Sequence, residues 1–320
     1  MAKYYALVAG LPIVTAEMQR PPVTTEEFYT ELQSVLTQQD RSYLELLRLG
    51  ATHGALLDAL LHEGSEANES SSMQKNEAEA QSDETAKVEL PILLQQVIKA
   101  AQEGKRLPKQ KLLPEYQIRF VYDLFFVPKR SAWDDGLVEP TLIDRMGHNR
   151  LALEDLLAQY YYEWAERSSS SFLQEWFRLN KNIRNILAVH TCRRLGWDPT
   201  RYIVGRGRVE EQLRTSKAKD FDLGEELPYL GEVLRIAEER DIARRERLID
   251  LLKWRWMDEW TFVRVFDIDN VLCYYLRLSI LERWSELDEA TGERTFREIV
   301  LSLKGESAKV LEDFKRQQRH

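Results

Sequence analysis

The chain has 320 residues, a formal net charge of −8, 43% hydrophobic and 31% charged residues. That length can bury a core without metal or disulfide support, and the acidic balance speaks against a protein that grips nucleic acid through its phosphates. The two isolated cysteines, Cys192 and Cys273, form no CxxC pair, which excludes the common zinc and dithiol motifs. Both lie on apolar helical stripes and read as small buried hydrophobes.

With only 14 Gly and 10 Pro, the composition favours long helices over many tight turns, and the residues predict a mainly all-α protein. Tyr4 to Leu11 is apolar and stops at Pro12, leaving a short N-terminal strand and a helix both open. The start lacks a signal-peptide pattern, and no long uncharged apolar run follows, so a soluble, cytoplasmic chain without a membrane span is expected. Thr24 or Thr25 suits the cap of a helix carrying Phe28, Leu32, Val35 and Leu36. Asp40 suits the cap of the next, and Ala55 to Leu61 continues the pattern.

From His62 to Lys87 the character changes. The segment holds seven acidic and two basic residues and almost no large apolar side chain. Such a stretch buries too little surface to offset its ordering entropy. It reads as a flexible linker or a long loop over 63–87, between an N-terminal helical region, 1–62, and a main helical body, 88–320.

Pro91 suits the start of a helix that Gly104 ends. Pro114 to Phe126 predicts another, stopped by Pro128, and Ser131 to Pro140 reads as a loop. Leu142 to Arg167 is again helical, with the aromatic run Tyr160, Tyr161, Tyr162 and Trp164. Phe172 to Leu195 predicts one long helix, with Ser171 as cap and Gly196 as stop. Its centre is unusual: Asn180, Asn182 and Asn185 lie mid-helix, where the amide competes with the backbone. They are expected to bond to neighbouring segments.

Arg193 to Lys219 holds eight basic and three acidic residues, a local net charge of +5. Arg206, Arg208, Arg214 and Lys217 are the candidate partner-facing residues of this cluster. It suits a phosphate, an anionic lipid surface or an acidic protein, and equally a solvated face. Pro228 to Val265 predicts helix with breaks, including Trp254, Trp256 and Trp260 on a broad apolar face. Asp267 suits the cap of a last core helix, and Thr295 to Phe314 predicts a charged one.

Asn182-Ile183-Arg184-Asn185-Ile186-Leu187 is echoed by Asp267-Ile268-Asp269-Asn270-Val271-Leu272, as repeated helical units entering a shared core would leave. Asn182, Asn185 and Asn270 are the candidate structural ties. HExxH, GxSxG and GxxxxGK[ST] are absent. The Gly205-x-Gly207 pair lacks a third glycine and follows no βα unit. Glu210-Glu211 and Glu238-Glu239 read as solvated faces. No catalytic, cofactor or metal residues are therefore assigned.

The segments KYYALVAGLP, FLQEWFRLNKNIRNILAVHTCRRLGWD, YIVGRGRVEEQLRTSKAKDFDL and RERLIDLLKWRWMDEWTFVRVFDIDNVLCYYLRLSILERW resemble an uncharacterised bacterial family whose members are encoded beside V-type ATPase genes. The pattern FxxNxNIxNILxxxxxRxxG is also similar, more distantly, to the funnel-shaped rotor protein of V/A-type ATPases that receives the foot of the central stalk. That resemblance implies repeated helical bundles and a non-enzymatic protein without cofactors. Its partners would be the central stalk and the membrane rotor ring. The chain would be held peripherally at the inner membrane face and pass torque in an ion-transporting ATPase. An assembly factor or regulator of the same ATPase is the alternative, and an enzyme with an unrecognised site is another.

Overall fold

A computed structural model describes residues 4–66, 84–107, 110–127 and 140–287. Among these the chain is mostly helical and has no strand. It divides into two compact units. Residues 1–41 and 241–320 form the first, and residues 42–240, inserted between them, form the second.

In the first unit, α1 (Tyr5–Gly10) settles the N-terminal apolar run as helix, not strand. Its six residues match the run before Pro12, too short for periodicity to decide. Thr24 caps α2 (Thr25–Val35) in a reciprocal capping box with Glu27. The apolar spacing of α2 buries Phe28 and Leu32. α3 (Gln38–Arg48) is preceded by Thr37, whose hydroxyl accepts from the Asp40 N–H; Asp40 lies inside the first turn and binds the Tyr4 hydroxyl. The boundary between the units falls within this helix.

The first unit resumes with α12 (Ile242–Thr261), capped by Asp241. A further helix, α13, covers 268–287. Long-range bonds close this unit. The Thr25 hydroxyl donates to Glu282 at 2.5 Å, and Phe28 meets Tyr274 edge-on at 5.0 Å. Asp250 accepts from Arg283 and from the Trp284 indole. Of the three α12 tryptophans, Trp254 alone is buried. Trp256 and Trp260 are half-buried and stack at 5.2 Å.

The second unit is a layered helical body. α4 (His53–Glu66) packs on α5 (Glu84–Gln102) and on α8 (Arg150–Ala165). α5 packs on α6 (Glu115–Phe125), α6 on α8, and α8 on α9 (Ser171–Leu195). The core is aliphatic and aromatic: Phe120, Leu153, Leu157, Phe172, Leu173 and Ile186 are each fully buried. Each such side chain contributes about 1.5–3 kcal/mol relative to an exposed one.

Helix boundaries follow capping chemistry. Ser170, not Ser171, caps α9, its hydroxyl accepting from the Leu173 N–H. Gly196 closes that helix at φ +70°. The expected helix 142–167 is two: α7 (Leu142–Arg145) and α8, parted at Gly147 and His148, both with positive φ. α5 begins at Glu84, ahead of Pro91.

The acidic segment therefore begins and ends inside helices of one unit and does not divide two domains; α4 and α5 pack together across it. Its residues 67–83, the loop 131–139, Pro128 and the helix expected at 295–314 lie outside the described residues.

Candidate functional site

Four polar side chains spaced along α9 hold the irregular segment 199–229. The first is Lys181. It continues the stripe Leu173, Phe177, Lys181, Asn185, Val189, every member of which is buried. Its ammonium lies 2.5 Å from Glu166 Oε1 and 2.9 Å from Glu210 Oε1. Burial alone would lower the Lys181 pKa, but the bonds to both carboxylates outweigh it and hold it above the ordinary value.

Glu210 is only 3% exposed, which corrects the solvated reading of Glu210-Glu211; Glu211 is the exposed member. Glu210 lies in the first turn of α10 (Arg208–Thr215), where the helix dipole favours a carboxylate. This pair also explains the two glycines before it. A Cβ on Gly205, at φ +99°, would stand 3.2 Å from Glu210 Oε1 and 3.3 Å from Lys181 Cδ. One on Gly207 would stand 2.5 Å from Glu210 Oε2. The backbone can turn this tightly over a buried ion pair only without side chains.

The second and third ties are the asparagines. Asn182 Nδ2 donates to the Tyr229 hydroxyl at 2.9 Å, at the N-terminus of α11 (Leu230–Ala237). Asn185 is bidentate: Nδ2 donates to the Val204 carbonyl at 2.8 Å, and Oδ1 accepts from the Val204 N–H at 2.9 Å. A side-chain amide here replaces the partner that a strand would give a buried backbone. Arg193 is the fourth, donating to the carbonyls of Ser216 and Ala218 and lying 4.3 Å from the Phe221 ring centroid.

Asn270 behaves differently. It is half-buried, and its amide donates to the Val265 carbonyl in its own turn, so it is not a helix-to-helix tie. The echo of residues 182–187 at 267–272 falls in the other unit. Its apolar positions are nonetheless equivalent in burial: Ile183 and Ile186 are buried in one unit, Ile268 and Val271 in the other.

The basic residues on the held segment separate. Arg208 and Lys217 are exposed, Arg208 lying 3.4 Å from Glu226. Arg214 turns inward, donating to the carbonyls of Ile203 and Gly205 at 3.2 and 2.7 Å, which makes it a brace of the turn. Arg206 is exposed and lines a half-open cleft of 430 Å³ that runs between α6 and α8.

One wall of the cleft carries Tyr160, whose hydroxyl donates to Asp123 at 2.6 Å; burial and this bond push its pKa up. Trp164, also lining, stacks on Tyr116 at 5.1 Å. Behind them, Gln117 Nε2 donates to the Tyr116 hydroxyl at 3.0 Å, which leaves that hydroxyl to donate to His53 Nε2 at 2.7 Å. Burial pushes the His53 pKa down to about 4, so the ring is neutral and its Nε2 lone pair accepts. Among the described residues, no group of three or more His, Cys, Asp or Glu side chains is placed to hold a metal ion.

The residue pattern points to Asn182, Asn185 and Arg206 but not to Lys181, Glu210 or the cleft. The available signal is a lysine in the middle of an apolar i, i+4 stripe. Over residues 1–307 the chain matches the model of a family described as Protein of unknown function (DUF2764). No curated protein and no solved structure matches it.

Proposed function

The chain belongs to this DUF2764 family of unknown function, and on that footing we propose that it is a non-catalytic component of a V-type ATPase, acting as a coupling element between central stalk and rotor ring. The reading rests on the rotor-protein-like pattern in α9 and on one structural observation that supports it. The two echoed segments lie one in each compact unit, with the same two apolar positions buried in both. Repeated helical units leave such a trace.

The chemistry of the polar side chains along α9 agrees with a mechanical role. Lys181, Asn182, Asn185 and Arg193 are all engaged in fixing a basic surface segment to a 25-residue helix. A surface that transmits force needs such fixed anchors, because ordering a loose loop on binding would offset the affinity gained. Arg206, Arg208 and Lys217 are the side chains offered to the partner; Arg214 supports them from below. No helix among the described residues is long and apolar enough to cross a membrane, so association with the membrane would run through the ATPase.

Affinity purification from native membranes tests the reading. Recovery of ATPase proteins with about one copy of this chain per rotor is expected. Substoichiometric recovery would favour an assembly factor, and absence of ATPase proteins would remove both. An enzyme is the remaining reading, favoured by the cleft between α6 and α8.

A further inference from the structure

The cleft of the second unit has a charge pattern that its own residues do not use up. It presents arginines and carboxylates in equal number, so a long polyanion such as nucleic acid is disfavoured. Several of these groups are already engaged. Asp123 accepts from Tyr160 at 2.6 Å and lies 3.8 Å from Arg119 Nε. Glu163 accepts from Gln159 at 2.9 Å. Arg167 and Arg206 are different: both line the cleft, both are exposed, and neither guanidinium bonds to a side chain or carbonyl among the described residues. Arg167 follows the C-cap of α8, its backbone N–H donating to the Trp164 carbonyl at 3.1 Å, and Arg206 stands on the turn that Asn185 and Arg214 hold rigid. Two guanidiniums without a partner among the described residues line the same cleft, and each offers the planar donor edge that suits a doubly charged oxyanion.

The remaining surface fits the rest of such a molecule. Glu163 keeps acceptor capacity beyond its bond from Gln159. Tyr160 is pinned by its hydroxyl, and Trp164 is fixed by stacking, so two ring walls are preorganised. A cleft of 430 Å³ lies within the range of small-molecule sites.

We propose that this cleft binds a small phosphate monoester bearing hydroxyl or amino donors, its phosphate between Arg167 and Arg206 and its donors toward Glu163. A nucleoside monophosphate and a sugar phosphate share that chemistry. The site shares Arg206 with the surface assigned above to the partner, but its test uses the chain alone, so the two readings fail separately.

Isothermal titration calorimetry of the full chain at low salt tests it, with adenosine monophosphate, ribose 5-phosphate, inorganic phosphate and adenosine as probes. Saturable binding of at least one ester, tighter than inorganic phosphate or adenosine, is expected. Arg167→Ala and Arg206→Ala should each weaken it about tenfold, the usual loss for a charge-assisted hydrogen bond. The exposed Arg235→Ala, outside the cleft, should leave it unchanged. Tighter binding of the nucleotide than of ribose 5-phosphate would assign the ring walls to a base; equal binding would assign the site to sugar phosphates. No saturable binding of either ester at millimolar concentration would overturn the proposal. So would inorganic phosphate binding as tightly as both, or affinity unchanged in both arginine variants while circular dichroism shows each folded.

Discussion

The same six-residue pattern occupies two positions in two helices, and its polar members do different things. In the second unit, Asn182 and Asn185 fall in the middle of α9, fully buried, and reach Tyr229 and Val204. In the first unit the pattern sits at the start of α13, where Asn270 is half-buried and bonds within its own turn. Asp269, beside it, is 1% exposed, accepts from the Trp260 indole at 2.9 Å, and has its pKa raised by burial. The apolar pair at positions two and five is buried in both cases. Spacing therefore decides which residues enter a core. Position along the helix decides whether an amide ties a distant segment or merely finishes a turn.

The sharpest way to break the contrast is Lys181→Met. It leaves Glu210 and Glu166 without their counter-ion, and losing one partner of a buried ionic cluster costs about 3–5 kcal/mol. Hydrogen exchange should show faster opening of α9 and α10 while α12 and α13 keep their protection. Lys181→Met combined with Glu210→Leu should recover part of the loss, because the pair is then replaced by apolar contacts.

Asn185→Ala comes next. It orphans both the N–H and the carbonyl of buried Val204, at about 1–3 kcal/mol each before relaxation. Asn270→Ala, its counterpart in the echo, should cost less than about 1 kcal/mol, because water can replace a half-exposed local bond. Urea unfolding followed separately in each unit reads both, and equal costs would erase the distinction.

A smaller effect comes from His53 of the second unit. Its folded pKa, about 4, lies below the ordinary 6.5, so the unfolded chain binds the extra proton first as pH falls. Stability of this unit should therefore decline between pH 6.5 and 4, by roughly 1–2 kcal/mol after allowance for solvent screening. His53→Gln keeps an acceptor for Tyr116 and should flatten that slope, measured by thermal unfolding across the window. The smallest change is expected at Phe262, which is 83% exposed after α12 of the first unit. Phe262→Ser should shift stability by no more than about 0.5 kcal/mol.

Local features are legible before the fold. The 3.6-residue spacing places α2, α6 and α9, and Thr24, Gly104 and Gly196 mark ends that capping chemistry explains. Both cysteines are buried, as apolar stripes imply. What escapes depends on residues far apart in the chain. Thr25 meets Glu282 across 257 positions, so the insertion of one unit into another has no local mark. Glu210 looks solvated because its partner, Lys181, lies on another helix, and nothing in Glu210-Glu211 says which member turns inward. Arg214 belongs to a basic cluster by composition, yet its guanidinium serves two carbonyls of a glycine turn. The tryptophans of α12 have the spacing of a broad buried face, but only Trp254 is fully covered, and Trp256 and Trp260 are half-buried.

The coupling-element reading is tested most directly by residue-resolved cross-linking of the native membrane complex purified through this chain. Cross-links from Lys217 and Lys219 to ATPase proteins, with about one copy per rotor, are the predicted result. A purification that repeatedly returns the chain without any ATPase protein would contradict it.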